Sequence, residues 1–384
     1  MIQAIELINF KSIKKNYFPL RNLNILLGLN GQGKSSFIQS ILLLRQSDKL
    51  AQGELKLNGG DNGLTNIGNT RDALYQYGKD QGLAIGIQFN DKDFYQMQFG
   101  YEIDADVFKP KNIVQDTTNY ITENITEPLF SNNFQYLNAQ RIEPKLLNVT
   151  SSSNVVDSNS IGKYGQYTAH YIELRGNEDI YFENLLHRDS ITFDDVTNKT
   201  IVNKTLINQI NLWLGEISPG VSVRTQKISP DYVLLEYDFK QPNFGNTNKF
   251  KPENVGFGIS YALHVITALL TARPNGLIII ENPESHIHPR GQAELGKLIA
   301  LVAQNDVQVI IETHSDHILN GIRVAVKGKL IQKDKVIAFY FKKVVEEAEQ
   351  YSKIIDIEID TNGTLSKYPE NLLEEWSNQM SKLL

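Results

Sequence analysis

Gly28-Leu29-Asn30-Gly31-Gln32-Gly33-Lys34-Ser35 satisfies the pattern G-x-x-x-x-G-K-[ST] at every fixed position. Glycines at these places let backbone N–H groups curl around phosphate oxygens, the lysine reaches the β and γ phosphates, and the hydroxyl ligates magnesium. A helix leaving such a loop points its positive end at the same anion. The flanks agree: the nearly all-apolar Leu23-Asn24-Ile25-Leu26-Leu27 enters as a strand. From Lys34 onward, Phe37, Ile38, Ile41, Leu42 and Leu44 recur every three or four residues, as a buried helix requires. A chance glycine turn with an incidental lysine would lack that bracketing. The reading is a nucleotide site made of Asn30, Gly31, Gln32, Gly33, Lys34, Ser35 and Ser36, for ATP in preference to GTP, with Ser35 on Mg2+.

A phosphate-binding loop needs an acidic residue on a neighbouring strand to hold the magnesium. Ile278-Ile279-Ile280-Glu281 supplies one at the end of a buried apolar strand, and Ile310-Ile311-Glu312-Thr313-His314-Ser315 places His314 just after another. Around these, Ser260 to Thr271 and Arg290 to Gln304 read as helices, and the alternation of helix and buried strand predicts a parallel sheet. At the other end, Ile2 to Phe10 alternates as a strand. Leu83 to Phe89 and Tyr95 to Phe99 form a hairpin about the polar turn at residues 90–93. Residues 111–134 and 151–166, rich in Asn, Ser, Thr and Asp, read as loops. A helix at Leu206 to Trp213 and strands at Val221 to Thr225 and Tyr232 to Tyr237 give the middle an α+β character.

The chain has 384 residues, 41% apolar and 21% charged, with a net charge of −6 and no cysteine. These values are globular and exclude disulfide frameworks, cysteine zinc sites and thiol nucleophiles. The start lacks a basic region followed by an apolar run, and no stretch is apolar enough to span a bilayer, so the expectation is a cytoplasmic protein without a membrane partner.

Together these segments resemble the ABC-superclass ATPases, the group that includes SMC-type heads, and most closely the bacterial AAA-type ATPases related to the OLD family. The likeness takes in the phosphate loop and Asn254-Val255-Gly256-Phe257-Gly258-Ile259-Ser260 at the signature position. It continues through Glu281-Asn282-Pro283-Glu284-Ser285-His286-Ile287-His288-Pro289 as Walker B with its D-loop, and Glu312-Thr313-His314-Ser315-Asp316-His317 as the switch region. It implies an α/β P-loop NTPase of ABC type: a mixed, largely parallel core with an antiparallel β lobe and an inserted α+β region. On that pattern residues 1–60 and 251–340 form the core, 61–250 the lobe and insertion, and 341–384 a strand-helix appendage. ATP and Mg2+ are the implied cofactors, sandwiched between protomers of a homodimer or higher homo-oligomer, with Gly256 and Gly258 meeting the partner's γ-phosphate.

Three departures bear on the chemistry. The signature lacks the serine that normally precedes its glycines. Walker B, normally Asp then Glu, is here Glu281, expected on the metal, then Asn282, whose amide can orient water but cannot take its proton. Glu284 is therefore the alternative base, beside His314, and slow turnover or a purely ATP-held state stays open. Glu284, His286 and His288 also admit a zinc reading, to which the D-loop reading is preferred. Arg141 suggests either a phosphate or interface contact or an ordinary surface salt bridge.

No heptad run fills the long stretch between Lys34 and Gly256, which excludes an SMC-type coiled coil. With so short a stretch after His314, no added nuclease domain is expected in this chain. Asp356-Ile357-Glu358-Ile359-Asp360 sets three carboxylates on one face of a strand, read as a solvated face in preference to a metal-dependent nuclease centre. The resemblance implies the sensor or scaffold half of an anti-phage defence pair, with a separate nuclease or toxin as effector and DNA as a candidate ligand. A self-contained DNA-processing enzyme and an ATP-locked scaffold are the alternatives.

Overall fold

The computed structural model describes residues 1–384 apart from 62, 79–81, 91, 112–113, 195–197, 242–244 and 384. The chain forms two compact units, Met1–Ser131 with Val336–Glu358 and Leu365–Leu384, and Asn132–Lys335 with Ile359–Thr364. The first unit begins with β1 (Ile2–Phe10), β2 (Ile13–Pro19), β3 (Leu23–Leu27), α1 (Lys34–Gln46), β4 (Leu55–Lys56) and α2 (Thr70–Ala73). It continues through β5 (Gly82–Phe89), β6 (Tyr95–Gly100), β7 (Val107–Pro110) and α3 (Val114–Glu123). The second unit runs through β8 (Phe134–Leu137), β9 (Leu147–Val149), α4 (Thr168–Arg175), β10 (Ile191–Asp194), β11 (Lys199–Val202), α5 (Leu206–Gly215), β12 (Val221–Lys227) and β13 (Tyr232–Gln241). There follow β14 (Gly245–Asn246), α6 (Phe257–Leu270), β15 (Leu277–Glu281), α7 (Pro289–Gln304), β16 (Gln308–Glu312) and α8 (Asp316–Lys327). Then β17 (Val336–Val345), β18 (Gln350–Ile357) and α9 (Glu375–Leu383) complete the first unit.

In the first unit an antiparallel sheet has the order β2-β1-β5-β6-β7-β4, and β18, β17 and β3 lie side by side. The expected hairpin is β5 against β6, antiparallel from Gly82↔Gly100 to Ile87↔Tyr95; its turn includes residue 91, outside the described residues. All five side chains of β3 are buried, and the strand pairs with β17 in parallel, Leu23↔Val336 to Leu27↔Tyr340. Phe37 of α1 packs 4.4 Å from Phe18 and 6.5 Å from Phe339, with Phe341 stacked 6.1 Å from Phe18. All four rings are fully buried, each contributing on the order of 1.5–3 kcal/mol, and they seat the helix that carries the phosphate loop.

The loop expected over residues 111–134 is corrected by α3, a ten-residue helix. Its polar sequence hides the helix, because neighbours outside it do the stabilising. The Tyr120 hydroxyl donates to Ile87 O at 2.9 Å, Tyr95 Oη lies 2.8 Å from Thr117 Oγ1, and the rings of Tyr95 and Tyr120 stack at 4.8 Å.

In the second unit β8, β15 and β16 are parallel, in register from Leu277↔Phe134 and Leu277↔Gln308. β15 from Leu277 and β16 from Val309 are apolar up to the glutamates that end them, as strands covered on both faces are. Helices α7 and α8 touch backbone to backbone: a Cβ on Gly296 would lie 2.4 Å from Ile318 O, and one on Gly321 2.1 Å from Ala293 O. Among the described residues, no helix is long and apolar enough to cross a membrane.

Candidate functional site

The phosphate loop belongs to the first unit. Where β3 stops, Gly28 (φ 132°), Gly31 (φ 73°) and Gly33 (φ 100°) occupy left-handed backbone, which glycine adopts at no steric cost. Gly28 is also pressed so closely on β17 that a Cβ would lie 2.4 Å from Phe341 O. Gly33 is the cap of α1 and, being glycine, brings no capping side chain of its own. Lys34 is 3% exposed, and its ammonium donates to Gly28 O at 2.8 Å and Leu29 O at 2.9 Å, drawing the loop into a ring about its own cation. Asn30, Gly31 and Ser35 are exposed, whereas Ser36 is buried. Glycine backbone free of side chains, a cation and the start of a helix fit a polyphosphate.

The acidic strand end belongs to the second unit. Glu281 closes β15; its Oε1 accepts from the Tyr136 hydroxyl at 2.8 Å and its Oε2 from Ala139 N at 3.3 Å. Asn138 Nδ2 in turn donates to Tyr136 Oη at 2.7 Å. Burial pushes the Glu281 carboxyl above its usual range, opposed by the bonds from Tyr136 and Ala139 and by the Arg141 charge. Burial, with Glu281 beside it, pushes the Tyr136 phenol up, so it stays protonated and donates. A buried carboxylate with a raised proton affinity gains from a cation, and this donor chemistry suits Mg2+, which keeps waters and takes few protein ligands. Among the described residues no three His, Asp or Glu are placed to hold a metal by themselves.

Arg141 is 3% exposed and does not form the surface salt bridge. It donates to Glu281 O at 2.8 Å and, at 3.4 Å, to Asn282 O and Ala139 O. Burial lowers its pKa to about 10, against the pull of Glu284 and Glu281. It thus pins the turn that leaves the strand. Asn282 takes φ 45° there and its N–H donates to Glu312 O at 2.8 Å, but its Oδ1 is buried and meets no donor among the described residues. Such an orphan costs about 1–3 kcal/mol and marks a place where a hydrogen-bonding ligand atom belongs.

Glu284 bridges to the switch segment: Oε2 accepts from the Thr313 hydroxyl and Oε1 from His314 N, both at 2.8 Å. His314 projects from the end of β16 with an exposed side chain. Ser315 caps α8, accepting from the N–H groups of His317 and Ile318 at 3.1 Å each. His286 and His288 do not converge on a zinc. His288 caps α7, its Nδ1 accepting from Arg290 N at 3.3 Å, and the His286 ring meets Tyr261 edge-on at 4.9 Å.

The signature segment starts α6 earlier than expected, at Phe257. A Cβ on Gly256, its cap, would meet nothing within 4 Å among the described residues beyond its chain neighbours, whereas one on Gly258 would lie 2.4 Å from His286 O, so the D-loop rests on Gly258. Ser260 cannot replace the missing signature serine, being 3% exposed with its Oγ 3.5 Å from Tyr237 Oη. The three-carboxylate strand face is also corrected: β18 ends at Ile357. Asp360 folds back to accept from Asn362 N and Thr364 N at 2.8 Å each, and Glu358 pairs with Arg21 at 2.6 Å. Tyr136 and Asn138 escaped the sequence reading, because nothing local marks a tyrosine that meets its carboxylate across paired strands.

A family profile described as "AAA ATPase domain" matches residues 1–216. A second, described as an AAA domain with mention of the AbiEii toxin and the Type IV TA system, matches residues 167–320. A third, described as a protein of unknown function (DUF3696), matches residues 331–383. No curated protein matches the chain. Among solved structures, the SmcHead bound to the C-winged helix domain of ScpA is 14% identical with a TM-score of 0.51, over 93% of this chain and 98% of that one. The Smc head domain with an extended coiled coil, bound to the C-terminal domain of ScpA, from Pyrococcus furiosus is 14% identical with a TM-score of 0.48. That match covers 100% of this chain and 99% of the other. The first likeness shows the fold alone, that of an SMC head.

Proposed function

The chain belongs to the AAA ATPase domain family, and from that footing we propose that it binds ATP with Mg2+, closes as a homodimer around the nucleotide and hydrolyses it slowly. The observation that carries the reading is the loop ringed by Lys34, with three left-handed glycines at the mouth of α1. Asn30, Gly31, Gln32, Gly33, Lys34, Ser35 and Ser36 cradle the phosphates. Ser35 and Glu281 would hold Mg2+, which supplies charge neutralisation as the phosphoryl group transfers. Asn282 orients the attacking water through its amide oxygen, Glu284 takes the water's proton, and His314 donates to the γ-phosphate. Gly256 and Gly258 offer backbone N–H groups to the nucleotide of a second protomer.

In the cell we place this ATPase in the cytoplasm, as the sensor or scaffold of an anti-phage defence complex whose nuclease or toxin is a separate chain. The mention of a toxin system in the description of the second family supports that setting. Full protection from phage by this chain alone would overturn the two-component part.

One observation favours a second reading, an ATP-held scaffold. Both oxygens of Glu284 already accept hydrogen bonds from the switch segment, which gives the carboxylate a structural role there and leaves one lone pair on each oxygen for a water's proton. Equilibrium ATP binding and steady-state hydrolysis by the wild type, Lys34→Ala and Glu284→Gln decide between the two. Lys34→Ala is expected to lose binding and turnover together. Glu284→Gln should keep binding while kcat falls about 10²–10⁴-fold. Tight binding with no wild-type turnover would select the scaffold, and a wild type that binds no ATP would overturn both.

A further inference from the structure

We infer that the hairpin of β17 and β18 is a clamp that presets the phosphate loop, with Ser352 its positioning residue; the inference rests on the nucleotide reading above. The hairpin outruns the strand it pairs with. β3 ends at Leu27 opposite Tyr340, but β17 runs on to Val345 and β18 returns from Gln350, with Ser352 opposite Lys343. This overhang meets the phosphate loop at its middle residue, Gln32.

Gln32 is held at two atoms. Its side-chain Oε1 accepts from Lys343 N at 2.5 Å, and its backbone oxygen accepts from the Ser352 hydroxyl at 2.7 Å. Ser352 Oγ also lies 2.8 Å from Ser12 Oγ. Gln32 O and Ser12 Oγ thus share the single proton of the Ser352 hydroxyl. Both hydroxyls press on Gly33, where a Cβ would lie 2.5 Å from each. Ser352 is buried, and its N–H donates to Ser12 O at 2.8 Å. The hairpin is itself anchored near its turn: Glu349 accepts from Lys14 Nζ at 2.5 Å and from the Tyr75 hydroxyl at 3.1 Å.

A glycine-rich loop loses more conformational freedom than any other when it closes on a ligand, so a contact that fixes it beforehand raises affinity without touching the ligand. The clamp gives the C-terminal segment a part in nucleotide binding. It acts on phosphate recognition common to ground and transition states, so losing it raises KM and leaves kcat alone.

The test compares Ser352→Ala with the wild type and Lys34→Ala, using a fluorescent ATP analogue for binding, ligand-free thermal melting, and hydrolysis kinetics. Ser352→Ala is expected to bind about tenfold more weakly and to raise KM in step, with kcat within about twofold and a single cooperative ligand-free melt, lowered only by the few degrees that one lost buried hydrogen bond brings. Wild-type affinity in a folded Ser352→Ala overturns the clamp, as does a loss that falls on kcat with KM unchanged. If Ser352→Ala does not fold, Ser352→Cys, whose thiol is a weak donor of nearly the same size, carries the test: about a threefold weakening is expected, and none overturns the inference. A wild type that binds no better than Lys34→Ala would instead fail the nucleotide reading itself.

Discussion

His264 is a basic side chain enclosed within α6, and its environment keeps it neutral. Its Nδ1 lies 2.8 Å from Thr168 Oγ1, while the Thr168 hydroxyl donates to Gly165 O at 2.8 Å, so the histidine nitrogen is the donor between them. Burial first, and the nearby Arg141 charge second, lower its pKa to about 3 from 6.5. Because the folded value is depressed, the unfolded chain binds the proton more readily. Stability is therefore full above pH 6.5 and is lost as pH falls toward 3, at about 1.4 kcal/mol per unit. His264→Asn offers an amide nitrogen in place of Nδ1 but no titration. Denaturant unfolding at pH 7 and pH 4.5 should show the wild type losing about 2.5 kcal/mol more than the variant, since the carboxylates common to both cancel. Equal losses would mean that His264 is not held neutral.

At the scale of elements, the start of α6 separates two glycines that look alike in the sequence. Gly258 carries the D-loop backbone, 2.4 Å from where a Cβ would sit, and Gly256 faces open space. Gly258→Ala must push His286 aside and should cost about 1–3 kcal/mol in denaturant unfolding, whereas Gly256→Ala should stay within about 1 kcal/mol. Similar losses in both would show that the helix start, not the D-loop contact, sets the cost. The same contrast explains what could be read in advance. β1, β3, α1, β15 and α7 were legible because their buried faces repeat with the period of a strand or helix, and the phosphate loop because its parts are sequence neighbours. α3 was not, because what holds its Tyr120 is Ile87 O and the Tyr95 ring on strands outside it, nor was Ser352, which meets Gln32 from the far end of the chain. Arg141 was noticed, but only the fold showed that it serves carbonyls and not a surface acid.

At the scale of the whole molecule, the proposed cycle requires a second copy, and the exposed start of α6 is where it would engage. Gly256 has no neighbour crowding it, and Phe257 is 54% exposed, its ring resting against Tyr261 at 6.3 Å and His286 at 5.8 Å. If the closed dimer binds ATP more tightly than the open protomer does, ATP must drive association by mass action, and blocking hydrolysis must hold the dimer in place. Glu284→Gln with Mg-ATP should therefore elute with about twice the 43.5 kDa chain mass in light scattering, and at the chain mass without nucleotide. Adding Phe257→Glu to that variant sets a carboxylate beside the partner's phosphates, where like charges repel. It should return the protein to the chain mass while each protomer still binds the ATP analogue, because the phosphate loop lies elsewhere in the chain. A dimer that survives Phe257→Glu would remove α6 from the interface, and a Glu284→Gln protein that stays at the chain mass with ATP bound would make the ATPase a one-protomer device.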